Sequence, residues 1–163
     1  MTRAAVLQEW YAPFGGSEQV ARELARVLDA DLWCLWQEAA DGTPEGLRES
    51  RLASMPAFLR ERKLAMALTP WVWRHTATPV YDLVISSSHA QGHTALLPSS
   101  PDAVYLSYVH TPARYLWSVD LDPRGAAWYL GPARALLKRT DVRYARHVAG
   151  YAANSTEVRE RIR

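Results

Sequence analysis

Three stretches of this chain gather residue types that can do chemistry. The first is Tyr11-Ala12-Pro13-Phe14-Gly15-Gly16-Ser17-Glu18, where an apolar run ends in two glycines. A strand, a Gly-Gly turn and a helix in succession leave uncapped N–H groups and the positive end of a helix dipole aimed at one spot, and glycine lets a ligand approach the backbone. Gly15 and Gly16 are thus a candidate phosphate seat, or simply a tight turn. The second stretch, Ser86-Ser87-Ser88-His89-Ala90-Gln91-Gly92-His93, ends an apolar run in hydroxyl and imidazole groups. His89 and His93 have the spacing of a helical zinc pair, but no Glu follows the first, Gly92 weakens a helix, and no third ligand is evident, so no metal is expected. The third, His110-Thr111-Pro112-Ala113-Arg114-Tyr115-Leu116-Trp117, again sets a histidine between a strand and a helix start. A neutral imidazole there can bond a ligand hydroxyl or act as acid or base; the alternative is a histidine bonded to nearby backbone. Tyr115 and Trp117 can stack on a ligand ring or serve as core.

The elements that must position these groups alternate. Ala4–Leu7 reads as a buried strand, and the helix after Gly16 carries Val20, Leu24, Val27 and Leu28 on one face against Glu18, Arg22, Glu23 and Arg26 on the other. Asp31–Trp36 makes a second strand and a β-α-β opening. A short edge strand is expected near Arg51-Leu52-Ala53, and Met55–His75 predicts a basic, Trp-bearing helix interrupted at Pro70. That segment either crosses over the sheet or lies on an anionic membrane surface. Strands follow at Tyr81–Ser88 and Asp102–Val109, then one long helix or two between Gly125 and His147 broken at Gly131-Pro132. A last buried strand of small residues spans Val148–Ala153, and Ser155-Thr156-Glu157 opens a final capped helix. The fold class is therefore α/β, a Rossmann-like open parallel sheet with helices on both faces, and the polar clusters fall beyond the strands' carboxyl ends, where such sheets bind ligands.

With 163 residues, 48% hydrophobic and 22% charged, the chain suits one globular domain. No apolar run reaches the ~20 residues of a membrane span. A net charge of +2 without a Lys/Arg run argues against nucleic acid as partner. Cys34, the one cysteine, excludes an internal disulfide and reads as a small buried hydrophobe. No signal-peptide pattern opens the chain, so a soluble, cytoplasmic protein is expected.

Taken together, Phe14-Gly15-Gly16-Ser17-Glu18, the Tyr81–His89 strand end, His110–Trp117 and Ala153-Asn154-Ser155 resemble, in order and spacing along nearly all of the chain, the N-terminal half of retaining glycosyltransferases of family 4. That resemblance implies a GT-B architecture, with residues 1–163 as the acceptor-side Rossmann-like domain and a C-terminal, donor-binding domain as its missing partner. The second-domain signature, two glutamates eight positions apart, does not occur here, so the domain is expected to be inactive alone. By the same resemblance Gly15 and Gly16 approach the donor's phosphates, His110 is the catalytic residue near the transferred sugar, and Ser87, Ser88, His89, Arg114 and Tyr115 line the acceptor side. The implied donor is a GDP- or UDP-linked hexose, mannose being suggested by the His-Thr-Pro-x-Arg-Tyr pattern, and the acceptor a glycan or lipid-linked molecule. No metal, protein nucleophile or cofactor is implied. Peripheral contact with an anionic membrane at its inner face and self-association of the lone domain are further expectations. The competing readings are a freestanding Rossmann-like module that binds an anion or a protein without chemistry, and a GT-B epimerase relative.

Overall fold

The computed structural model describes residues 2–12, 14–38, 42–117 and 131–162, with the side chains of 63–64, 114–115 and 131–134 outside that description. Six parallel strands form one open sheet in the order β3-β2-β1-β4-β5-β6: β1 (Ala4–Tyr11), β2 (Asp31–Gln37), β3 (Arg48–Glu49), β4 (Leu83–Ser88), β5 (Val104–Val109) and β6 (Gly150–Ala153). This is the Rossmann-like strand order, and its direction of winding reverses between β1 and β4. Strands buried on both faces need apolar residues at every position. That is why Ala4, Ala5, Val6 and Leu7 run uninterrupted, with Val6 in one core and Ala5 and Leu7 in the other.

On one face lies α1 (Gly16–Leu28), packed through Ala21 and Ala25 onto Val6, Leu32 and Cys34. Of the apolar stripe expected at Val20, Leu24, Val27 and Leu28, Leu24 packs on that core and Val20 is half-buried, whereas Val27 and Leu28 are exposed. Small alanines bring the helix close to the sheet, and Val27, two residues past Ala25, points about 200° away. Burial pushes the Cys34 thiol up and keeps it inert.

The other face carries α2 (Arg62–Arg74) and α4 (Gly131–Ala145). α2 runs through Pro70 without the expected interruption. Proline removes one bond, to the carbonyl of Met66, while Ala65, Val72 and Trp73 hold the helix in the core of Leu7, Leu35, Val84 and Tyr105. The apolar side of this basic segment is thus committed to the sheet; Arg62 pairs with Glu38 and covers Trp10, and Phe58 and Trp71 stay exposed. Two further α-helices are short, α3 (Arg114–Trp117) and α5 (Thr156–Arg161). Ser155 caps α5 by accepting a bond from the Val158 amide, as its sequence predicts.

The edge strand β3 lies at Arg48–Glu49 rather than near Arg51. There Ser50 Oγ accepts from Leu52 N and turns Arg51–Ser54 into a 3-10 helix. β6 is not buried: with β5 as its one neighbour among the described residues, it leaves Tyr151 and Ala152 exposed. The portion of the predicted long helix before Gly131 lies outside the described residues, as does Pro13.

Candidate functional site

Register brings the polar residues together. Gln8 pairs with Ser87, and Ser87 with Tyr108, so three side chains sit in a row on the α1 face where the sheet's winding reverses. His110 follows one step beyond β5, its amide bonded to the Ser88 carbonyl at 2.8 Å. Its Nε2 lies 2.9 Å from Ser87 Oγ, and its ring meets Tyr108 edge-on at 5.0 Å. Ser87 Oγ also reaches the Ser17 carbonyl at the start of α1, and Gln8 Nε2 donates to Ser17 Oγ. The histidine after β5 and the glycine turn after β1 are therefore joined through Ser87, Ser17 and Gln8. Burial, reinforced by the nearby His89, lowers the His110 pKa from its ordinary value, with Glu9 and Glu18 opposing. At neutral pH the ring is a neutral donor and acceptor.

Glu9, on the opposite sheet face, is the group the sequence motifs do not contain. Its carboxylate is 2% exposed and accepts from the amides of Ala90, Gln91 and Gly92 at 3.1, 3.0 and 2.8 Å. Ser88 Oγ and the His89 amide also donate to it, at 3.2 and 3.3 Å. A carboxylate can be buried only when so saturated. A Cβ on Gly92 would stand 3.0 Å from Ser88 Cβ and 3.2 Å from Glu9 Oε1, so the 88–92 turn closes on the carboxylate because residue 92 is glycine.

His89 Nδ1 lies 3.1 Å from Glu9 Oε2 and 3.4 Å from Gln8 Nε2. The Glu9 contact is not aligned as a hydrogen bond, whereas the Gln8 amide nitrogen can only donate, so Nδ1 accepts from Gln8. The ring stands edge-on to Trp10 at 4.2 Å with its side chain 18% exposed. Gln8 Oε1, in the same corner, is buried without a hydrogen-bond partner.

At the glycine turn the donors begin later than the sequence suggests. The Gly15 amide bonds to the Ala12 carbonyl, whereas the amides of Gly16, Ser17 and Glu18 open α1 with no acceptor among the described residues. Nothing stands within 4 Å of a Cβ built on Gly16, so its approach is open. Gly15 is covered by a carboxylate: Glu18 is 4% exposed, takes a bond from Ser17 Oγ, and its Oε2 lies 1.9 Å from where a Gly15 Cβ would be. An anion approaching over Gly15 meets Glu18 first.

The structure thus brings Gly15, Gly16, Ser87, His89 and His110 to one corner, and sends Ser88 to the opposite face on Glu9. Arg114 and Tyr115 belong to α3, but their side chains lie outside the described residues. His89 and His93 do not share a helix; His93 sits in a 3-10 turn (Gly92–Thr94) beside Asp141. Among the described residues no cluster of three His, Cys, Asp or Glu could hold a metal, and no helix is long and apolar enough to cross a membrane. The one signal for Glu9 in the sequence is Gln8-Glu9 inside a strand buried on both sides, where charge is anomalous unless paired.

No family model, curated protein or solved structure matches this chain. The roles of these residues therefore rest on their own geometry.

Proposed function

We propose that this chain is the acceptor-side domain of a retaining glycosyltransferase, moving a hexose from a nucleotide-sugar when joined to a donor-binding second domain. One observation carries the reading: an open helix start at Gly16 is linked by hydrogen bonds, through Ser17 and Ser87, to a neutral imidazole at His110. Backbone amides at a helix start suit a diphosphate leaving group. An uncharged imidazole beside it can orient a sugar hydroxyl without competing for the phosphate. His89, whose Nδ1 accepts from Gln8, is placed to donate from Nε2 to the acceptor. The amides of Gly16, Ser17 and Glu18 would hold the diphosphate on the open side of the turn, with the Glu18 carboxylate kept over Gly15.

The test is sugar transfer by the chain joined to such a second domain, with GDP- and UDP-hexoses as donors. Gly16→Val, which blocks the open approach, and His110→Ala should each lower kcat/KM by about 100-fold, the loss expected of a positioned transition-state contact. Unchanged rates in both variants remove the site. The position of Glu18 over Gly15 favours a second reading, a module that binds without catalysis. Saturable binding of GDP or UDP with no transfer would select it.

A further inference from the structure

A cleft of about 300 Å³ opens on the sheet face opposite His110, between the ends of β4, β5 and β6 and helix α4. Strand alternation separates the two places: Ser88 and Val109 line this cleft, while Ser87 and the residue after Val109 face α1. Its walls are apolar, from Val109, Ala113, Val142, Ala145 and Tyr151. Ser88, Thr111 and Arg161 also line it, and its buried polar part is the pair Asp141 and His93. Asp141 Oδ2 accepts from Trp117 Nε1 at 2.9 Å, fixing the carboxylate, while Asp141 Oδ1 stands 3.1 Å from His93 Nε2. That approach is not aligned as a hydrogen bond, so both atoms are buried and unpartnered, in a residue 8% exposed and a side chain 12% exposed.

A purely structural tie between α4 and the 92–94 turn would align the pair, because leaving both atoms unsatisfied costs about 1–3 kcal/mol each. The two atoms stand too close for an oxygen between them, but a small rotation that opens the pair to the cleft lets a hydroxyl seated beside it resolve both at once, donating to Asp141 Oδ1 and accepting from His93 Nε2–H. An ether or a ketone cannot donate to Asp141 Oδ1. The volume is at the small end of the ~300–1,000 Å³ of ligand pockets. We propose that this cleft binds a small apolar alcohol, hydroxyl inward on Asp141 and His93, at a site separate from the His110 corner and independent of whether the chain transfers sugar.

The test uses benzyl alcohol and benzyl methyl ether, which share the ring but differ in the ability to donate. Titrated into isotopically labelled chain, the alcohol should shift the Trp117 indole N–H saturably and bind at least about tenfold more tightly than the ether, as a bond to a buried carboxylate requires. Val142→Trp, a substitution at a position 43% exposed on the rim, should fill the cleft and abolish the shift while leaving the pair intact. Asp141→Asn should erase the preference for alcohol over ether. The proposal is overturned by no saturable shift in the unaltered chain, by equal affinity for alcohol and ether, by undiminished binding in Val142→Trp, or by benzylamine binding more tightly than benzyl alcohol.

Discussion

Both edges of the sheet carry a buried polar network, and the two are finished to different degrees. At the amino edge Asp31 accepts from Tyr81 OH at 2.7 Å and pairs with Arg3 and Arg48, while Trp33 Nε1 donates to the same Tyr81 oxygen. Burial alone would raise Asp31, yet the Tyr81 bond and the two arginines hold it below its ordinary value. Burial and that same bond push Tyr81 up to about 12. Every polar group there has a partner. At the carboxyl edge Gln8 Oε1 has none, three amides of α1 lack acceptors among the described residues, and the His110 imidazole is held neutral. A closed network adds rigidity; an open one leaves valences that a ligand can fill. Parallel sheets put such openings at their carboxyl ends because helices begin there, amides outward.

Within the carboxyl edge, Glu9 is the exception, saturated like Asp31, and its removal should have the largest effect. Glu9→Ala leaves the Ala90 and Gln91 amides buried without an acceptor, Gly92 N keeping Ser88 Oγ at 3.0 Å, and should cost about 4 kcal/mol in denaturant unfolding. A loss below about 1 kcal/mol would mean that the 88–92 turn holds itself. Next comes Gly92→Ala, whose methyl would press on Ser88 and Glu9; about 2 kcal/mol of destabilisation is expected from that overpacking. Gly16→Ala, into open space at the first turn of α1, should stay within about 0.5 kcal/mol of the unaltered chain. Equal costs at the two glycines would erase the distinction between a filled and an open corner. Between the two glycines falls Tyr81→Phe, which removes the hydroxyl between Trp33 and Asp31 and should cost about 1 kcal/mol. It should leave GDP and UDP titrations unchanged, since it acts at the far edge.

The strands that build this contrast were legible because β propensity and burial agree: the apolar runs at Ala4, Asp31, Leu83 and Val104 are all strands of the one parallel sheet. Less visible were effects set by tertiary contact. Pro70 looked like a stop, but a helix clamped by Val72 and Trp73 tolerates one missing bond. Val27 matched the helical period and still faces water, because alanines rather than larger residues set the closest approach of α1. Of the site, the glycine turn and the histidines at two strand ends could be read from local pattern. Glu9 could not be read as a ligand of the 88–92 amides, since its partners lie about eighty residues away along the chain, with a separation of 82 to Gln91. Glu18 read as a solvated helix residue, and only the fold of its side chain back over Gly15 buries it.

The smallest effect tests the openness of the carboxyl edge directly, through His110. Its folded pKa lies below the ordinary histidine value, chiefly by burial and secondarily by His89. Above the ordinary value the ring is neutral in both folded and unfolded chains, and its contribution is fully present. As pH falls from about 6.5 toward the depressed folded value, the unfolded chain takes up a proton that the folded one resists, so stability falls. Below the folded value both are charged and the slope levels. Unfolding free energy measured between about pH 7 and pH 5 should therefore drop more steeply for the unaltered chain than for His110→Gln, the difference isolating this ring from the other histidines. A flat or inverted difference would mean that Glu9 and Glu18 outweigh burial and hold the ring charged. The corner would then resemble the amino edge, its charges paired internally, and the neutral hydrogen-bonding group on which the transferase reading depends would be absent.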